Sequence, residues 1–265
     1  MKREERDHDK PRQRHFTTPR PDNKDLVFGI HSVTETIRAG NEIDKLFIQR
    51  ELGNSATVAE LLQVAREYNV PVSRVPHEKL DRITRKNHQG VIAFISAIRY
   101  VSLHNVLSGI YERGETPLLL MLDRITDVRN FGAIARTAEC AGVQGIVIPS
   151  KGAAQINADA VKTSSGALNF IPVCREENLV NTITYLQESG VQVVACTEKA
   201  SKNIHEVDFA APTAIIMGSE EDGISNDLMR KADELVKIPM IGKIASLNVS
   251  VAAGVVVYEA VRQRL

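Results

Sequence analysis

The chain has 265 residues, enough for two compact domains, and its 43% hydrophobic and 25% charged residues are ordinary for a globular protein. Its 33 basic and 33 acidic residues give a formal net charge of zero, so overall charge neither favours nor excludes a nucleic-acid partner. We expect no membrane partner, because no apolar run approaches the roughly 20 residues that span a bilayer. The three cysteines show no CxxC spacing, which argues against a disulfide framework or a zinc site and predicts a cytoplasmic protein.

Two segments with different patterns open the chain. Residues 1–24 are charged and nearly free of aliphatic side chains, so we predict a disordered basic tail that either keeps the chain soluble or attracts RNA phosphates. Residues 25–98 alternate strand-like and helical stretches, such as "IDKLFIQ" and "SATVAELLQVAREY", which predicts a small α/β domain. Its basic stretch "RITRKNHQG" fits a solvated helix end and an RNA contact equally well.

The pattern loosens at residues 99–116, around Gly109 and Gly114, where we predict a linker. A second α/β domain follows at residues 117–265. Its predicted strands are 118–122, 145–148, 170–173, 191–196, 213–217 and 235–238, and its predicted helices are 131–141, 179–188, 226–232 and 249–264. Apolar strands without alternation are typical of a parallel sheet that is buried on both faces.

Polar side chains follow three of these strands, at the ends where open α/β sheets place their sites. In the first cluster, "LDRITDVRNFGAIARTA", we predict a helix starting at Phe131, and capping of this helix is one explanation for Asn130. Arg136 lies among alanines in the same cluster, where its guanidinium is either available to a polyanion or part of a buried ion pair.

The second and third clusters are "AIIMGSEEDGIS" and "IPMIGKIASLN". Gly218 ends a strand where backbone can approach a ligand closely, and Glu220 follows it at the turn. Ser246 and Asn248 precede the last helix, so either one can cap it, but a single cap leaves the other side chain unexplained. Dinucleotide, Walker, HExxH and GxSxG motifs are missing from the sequence, so a dehydrogenase or P-loop enzyme is unsupported.

In this order, the three clusters resemble the motifs of the SPOUT methyltransferases, specifically the TrmH family of RNA ribose 2′-O-methyltransferases. The likeness spans the second domain, while "FGIHSV" and "NHQGVIA" in the first resemble the RNA-binding domain of 23S rRNA guanosine methyltransferases. The resemblance implies a parallel sheet with a trefoil knot, S-adenosylmethionine as cofactor, a homodimer and no metal. The sequence departs from the family at Val128, where proline is usual.

The resemblance also implies roles for single residues. Cofactor binding falls to Gly218, Ile238 and Leu247, and catalysis to Asn130, Arg136, Glu220, Ser246 and Asn248. The chemistry needs mainly positioning and electrostatic stabilisation, because the sulfonium methyl is already activated and the ribose hydroxyl is a poor nucleophile. We interpret Arg136 as a cation that stabilises the oxygen rather than as a base, since guanidinium hardly deprotonates in proteins.

Three functions are compatible with these patterns. The leading one is methylation of a guanosine ribose in 23S rRNA, and the alternatives are tRNA ribose methylation and a non-catalytic RNA-binding or ribosome-assembly protein. The intact polar residues argue against the last alternative, and the separate first domain favours rRNA. The final helix is apolar on more than one face, so we predict that a second subunit covers part of it.

Overall fold

The computed structural model describes residues 26–244 and 246–265, so the predicted N-terminal tail lies outside the described residues. The first domain consists of β1 (Leu26–Phe28), α1 (Ile30–Arg38), β2 (Ile43–Gln49), α2 (Ala56–Glu67), β3 (Val72–Val75), α3 (His77–Ile83) and β4 (Val91–Ile95). Its four strands form one sheet in the order β1-β4-β2-β3, with β2 and β3 parallel and the other pairs antiparallel. The predicted small α/β domain is therefore present.

Alternation along β2 explains how this sheet carries helices on both faces. Leu46 and Ile48 pack into the core that α1 and α2 share, whereas Phe47 belongs to a second cluster with Leu80 of α3. Successive side chains of a strand point to opposite faces, so a single strand serves both clusters. Helix α2 begins as predicted, because the Ser55 hydroxyl accepts a hydrogen bond from the Val58 amide at 3.3 Å.

The described residues of the second domain form eight strands and six α-helices. They are β5 (Tyr100–Val101), α4 (Leu103–Glu112), β6 (Leu118–Asp123), α5 (Val128–Cys140), β7 (Gly145–Pro149), α6 (Ala158–Thr163), β8 (Val173–Glu176), α7 (Leu179–Glu188), β9 (Gln192–Cys196), β10 (Lys202–Asn203), β11 (Thr213–Gly218), α8 (Asn226–Lys231), β12 (Glu234–Lys237) and α9 (Val249–Arg264). All neighbouring strands are parallel, in the order β10-β12-β9-β11-β6-β7-β8-β5. The prediction of a buried parallel sheet is confirmed.

Two predicted element boundaries are wrong. The strand expected at 170–173 lies at Val173–Glu176, and Phe170 is 77% exposed at the end of a short 3-10 turn. Pro172 has no amide hydrogen for a ladder, so the strand begins only after it. The helix expected to begin at Phe131 begins at Val128 instead, because the residue that caps it is Asp127.

The segment 99–116, for which the sequence predicts a linker, contains β5 and α4. Strand β5 pairs with β8 at the edge of the large sheet. Helix α4 buries Leu103, Leu107 and Ile110 in the core of the second domain. Glycines near its end made this stretch look loose, but the apolar residues at helical spacing determine its structure.

Polar contacts join the two domains at β8. The Arg175 guanidinium donates to the carbonyl oxygens of Ile43 at 2.9 Å and Asn69 at 3.1 Å, and it lies 4.2 Å from the ring centre of Tyr100. The Tyr100 hydroxyl donates to the Asp44 carboxylate at 2.6 Å, and burial raises the pKa of that carboxyl. These contacts fix the first domain beside the carboxyl ends of β7 and β8.

Small residues let the helices of the second domain pack closely. A side chain at Gly132 of α5 would come within 2.7 Å of Thr163 at the end of α6. Helix α9 packs on α5, and Thr137 lies next to Gly254. In the part of the chain that the structure describes, no helix has both the length and the apolarity needed to cross a membrane.

Candidate active site

The polar clusters meet at the carboxyl ends of three strands. Strand β11 lies between β6 and β9, and its last residue, Gly218, is in register with Asp123 at the end of β6. Strand β12 pairs with the other side of β9. The chain leaving each strand therefore arrives at the same edge of the sheet, as the rule for open parallel sheets predicts.

Gly218 forms the tightest point of this edge. Its chain turns back at once, and the backbone groups of Ser219 and Gly223 exchange hydrogen bonds of 3.2 and 3.0 Å. A Cβ on Gly218 would lie 2.2 Å from the backbone carbonyl carbon of Gly223 and 2.2 Å from the amide nitrogen of Ile224. Only glycine fits there, so the turn from Ser219 to Gly223, here called the β11 turn, can fold directly over the strand end.

A cavity of about 610 Å³ opens between the β11 turn and the segment that precedes α9. All three predicted cofactor residues line it, and so do three of the five predicted catalytic residues. These six are Gly218, Ile238, Leu247, Glu220, Ser246 and Asn248. The size and mixed lining suit a small organic ligand with polar ends.

Asn248 joins the three polar clusters. Its side-chain oxygen accepts hydrogen bonds from the amide nitrogen of Ser250 at 3.0 Å and from the Ser250 hydroxyl at 2.6 Å, which caps α9. Its side-chain nitrogen donates to Asn130 Oδ1 at 3.1 Å and to Glu220 Oε1 at 2.6 Å. One amide thus serves both as a helix cap and as the centre of a polar group, while Ser246 lines the cavity beside it.

The alternative explanation of Asn130 as a helix cap is wrong. The Asp127 side chain occupies that place and accepts a hydrogen bond from the Asn130 amide nitrogen at 2.8 Å. The Asn130 side chain is therefore available to contact Asn248 across 118 residues of chain. Val128 takes the first helical position, where proline is favoured but not required, and the helix still begins there.

Arg136 does not join this group within one chain. It is exposed on α5 and is not among the residues that line the cavity, so the alternative of a buried ion pair is wrong. It lies next to Thr137, the residue that faces Gly254 of α9. The α5 backbone at Arg136 therefore passes beside the first half of α9, and the exposed side chain is separate from the group around Asn248.

One wall of the cavity is formed by residues that the sequence did not mark as site residues. Cys196 ends β9 and is followed by Thr197, Glu198 and Lys199, and all four line the cavity. Burial raises the pKa of the Cys196 thiol to about 12, so the thiol is a neutral wall group and not a nucleophile. No motif marks these four residues. Their position at the end of a buried strand, at the same edge of the sheet, was the one sequence feature that pointed to the cavity.

Both domains of the chain match known protein families. Residues 117–258 match the profile of the SpoU rRNA Methylase family, and residues 26–101 match a domain described as RNA 2′-O ribose methyltransferase substrate binding. The chain belongs to the SpoU rRNA methylase family. The two matched regions cover the large parallel sheet with its cavity and the smaller first domain.

Individual SpoU relatives align over nearly the whole chain. A Bacillus subtilis protein assigned to the TrmH family of tRNA/rRNA methyltransferases is 36% identical over 91% of this chain and 96% of its own length. A Pseudomonas aeruginosa 23S rRNA (guanosine-2′-O-)-methyltransferase RlmB is 37% identical over 90% of this chain and 96% of its own. The solved SpoU methyltransferase AviRb of Streptomyces viridochromogenes, in complex with AdoMet, covers 90% of each chain at 27% identity, with a TM-score of 0.57.

Proposed function

We propose that this protein transfers a methyl group from S-adenosylmethionine to a ribose 2′-hydroxyl of RNA, and that its substrate is a guanosine of 23S rRNA. The contact of Asn248 with Asn130 and Glu220 at the mouth of the cavity carries this proposal. It brings three polar motifs to one point where a small ligand and a polymer can meet. The RlmB relatives support the choice of rRNA.

The residues that line the cavity fit the cofactor. Gly218 lets the β11 turn fold directly over the strand end, so that backbone of the strand and of the turn lines one side of the cavity. Ile238 and Leu247 would supply apolar surface to the bound cofactor, and backbone groups beside them would be available for hydrogen bonds. S-adenosylmethionine, when bound, supplies the activated methyl group.

The chain's own residues then have positioning and electrostatic tasks. Asn130 and Glu220 hold the Asn248 amide in one orientation. Oxygens of this group, with the Ser246 hydroxyl, can accept hydrogen bonds from the ribose and fix its 2′-oxygen in line with the methyl. We assign to Arg136 the stabilisation of negative charge on that oxygen, which a guanidinium does without losing its proton.

We further propose that the first domain holds the RNA on the face that carries α3. Lys79 Nζ lies 4.8 Å from the ring centre of Phe47, Lys45 Nζ lies 5.9 Å from the same ring, and Lys86 Nζ lies 5.6 Å from that of Phe28. Phe47 is only 9% exposed, so the lysines cover the ring, and their grouped cations suit RNA phosphates. These lysines would make the RNA contact. The buried histidine of the "NHQG" segment would not.

That histidine is His88, which is only 4% exposed. Its Nδ1 accepts a hydrogen bond from the Gly90 amide at 3.0 Å, and its Nε2 lies 3.1 Å from Asp81. Both ring nitrogens are therefore occupied within the domain. The histidine shapes the turn, and the basic residues around it are left to meet the RNA.

A homodimer completes the proposal. The exposed side of α9 carries Val251, Val255 and Tyr258, which are 52%, 38% and 51% exposed, while Val256 on its other side is fully buried. Apolar side chains on both sides of a helix call for cover on both sides. A second copy on this side would bring Arg136, from the adjoining α5, to the subunit interface and so to the partner's substrate.

The dimer is tested by Tyr258→Asp, which places a charge on the exposed side of α9 without entering the core. We expect a folded monomer with strongly reduced activity, measured by sedimentation and methyl transfer. Val256→Asp is the contrasting variant: its side chain is 0% exposed, so it should unfold the chain. A wild-type monomer that is fully active at assay concentration would contradict the dimer.

Two further expectations belong to this proposal. We propose that the chain closes a trefoil knot at the cavity, and the return of the segment after β12 to contact Glu220 on the β11 turn supports this proposal. We also propose that the protein works in the cytoplasm, where its unpaired cysteines and its RNA substrate fit.

Labelled methyl transfer tests the function directly. The enzyme is incubated with labelled S-adenosylmethionine and either total rRNA or total tRNA that lacks ribose methylation, and the RNA is then digested to nucleosides. We expect label in 2′-O-methylguanosine from the 23S fraction. Label only in the tRNA nucleosides would identify a tRNA enzyme, and RNA binding without any transfer would identify a non-catalytic binding protein.

A further inference from the structure

Arg124 follows β6 in a backbone conformation that non-glycine residues rarely adopt, with φ of 57°. Strain of this kind persists only where the surroundings hold it, and it gathers at functional sites. Here the turn directs the Arg124 side chain back along its own strand end and across to the β11 turn. The contacts of this side chain show what holds the turn in that shape.

The guanidinium makes four hydrogen bonds. Nε and Nη2 donate to the two carboxylate oxygens of Asp123 at 3.0 and 3.1 Å. Nη1 donates to Asp222 at 3.2 Å, and Nη2 also donates to the carbonyl oxygen of Gly223 at 3.2 Å. Arg124 thus holds the strand end and the far side of the β11 turn with one planar group.

Asp123, the partner of Arg124, also binds the chain that follows the β11 turn. It is 4% exposed, and its Oδ2 also accepts a hydrogen bond from the amide nitrogen of Ser225 at 2.7 Å. The Arg124–Asp123 pair therefore holds the chain at Gly223, the last residue of the turn, and at Ser225, shortly after it. The near side of the same turn carries Glu220, which contacts Asn248.

We propose that Arg124 is a positioning residue, which holds the β11 turn in the shape that the cofactor cavity and Glu220 require. It acts through Asp123 and Gly223 and need not touch the cofactor. The inference rests on the proposed function only in taking the 610 Å³ cavity as the cofactor site. Direct capture of an RNA phosphate is disfavoured, because two carboxylates already neutralise the guanidinium.

Arg124→Gly is the informative variant. It removes the guanidinium and its hydrogen bonds, which lowers the free energy of unfolding. Glycine accepts the positive φ without strain, which raises the free energy of unfolding, so the two effects oppose each other. We expect the dissociation constant for S-adenosylmethionine, measured by calorimetry, to rise about tenfold and kcat to fall, with the melting temperature little changed. Arg113→Ala is the control: it breaks an exposed pair with Glu115 just after the end of α4, away from the cavity, and should change neither the dissociation constant nor kcat.

A double variant keeps the test valid if Arg124→Gly does not fold. If Arg124→Gly leaves the buried Asp123 carboxylate uncompensated and the protein unfolds, Asp123→Asn with Arg124→Gly removes that charge and keeps an oxygen for the Ser225 amide. It should show the same tenfold weakening. Unchanged cofactor affinity and kcat in a folded variant would overturn the inference, whereas a wild-type protein that binds no S-adenosylmethionine would overturn the proposed function instead.

Discussion

The two ends of α9 lie at opposite edges of the large sheet and use their polar groups differently. At its last turn, Arg264 donates four hydrogen bonds of 2.8–2.9 Å to backbone carbonyl oxygens just before β6 and β11, namely those of Phe209, Thr116, Pro117 and Ala211. At its first turn, Asn248 contacts two other side chains at the mouth of a cavity. The 16 residues of α9 span about 24 Å between these two environments.

The difference separates stability from function along one helix. Around Arg264, the chain's own carbonyl oxygens take up the donors, so this edge is closed and contributes to the free energy of unfolding. Around Asn248, carboxylate and amide oxygens are arranged beside open space. Such groups add little stability and can exchange partners with a ligand, which is the arrangement expected of a site.

The largest expected effect concerns Arg136, the predicted catalytic residue that a single chain does not bring to the carboxyl edge. Arg136→Ala should lower kcat about a thousandfold, because a cation near the developing negative charge is lost, while the affinity for S-adenosylmethionine stays constant. Single-turnover methyl transfer and calorimetry measure the two quantities. A parallel loss of cofactor affinity would show that Arg136 belongs to the cavity and not to the chemistry.

Asn248→Ala should reduce methyl transfer about a hundredfold, because Glu220 and Asn130 lose the amide that joins them. The lost helix cap alone should lower the free energy of unfolding by about 1 kcal/mol. Asn178→Ala is the matched control, since Asn178 caps α7 in the same manner and contacts no site residue. Equal activities of the two variants would reduce Asn248 to a cap.

Arg264→Ala should have the opposite signature. Loss of its charge-assisted hydrogen bonds should lower the free energy of unfolding by about 3 kcal/mol, with kcat and KM unchanged below the melting temperature. Arg262→Ala, two residues earlier, removes an exposed guanidinium from a half-buried Glu259 carboxylate, to which Gln263 still donates, and should cost about 1 kcal/mol. Chemical denaturation measures both, and a kcat defect in Arg264→Ala would erase the contrast between the helix ends.

The sequence predicted these two ends unequally. The bounds of α9, and the presence of polar residues at its start, follow from apolar spacing and from the resemblance to known motifs. The Asn248–Asn130 contact joins residues 118 positions apart, so only the assembled sheet reveals that both belong to one group. Arg264 looks like any terminal arginine, because its partners are backbone carbonyl oxygens, which no residue type marks.

Local rules failed where a neighbour competed for the same role. Asp127 takes the cap that Asn130 could have filled, and it thereby leaves the Asn130 side chain to the site. Arg124 gives no sequence signal at all, since a positive φ is unexpected for arginine and depends on contacts across 98 and 99 residues. Strand positions were easier, because apolar runs of five or six residues admit few alternatives in a buried sheet.

Hydrogen–deuterium exchange with and without S-adenosylmethionine tests the central claim most directly, namely that the cofactor occupies the cavity at the carboxyl edge. We predict protection on cofactor binding in residues 217–224 and 238–250, and no change in residues 206–212 and 259–265 at the opposite edge. Methyl transfer with protection confined to other segments, or equal protection at both edges, would contradict the account.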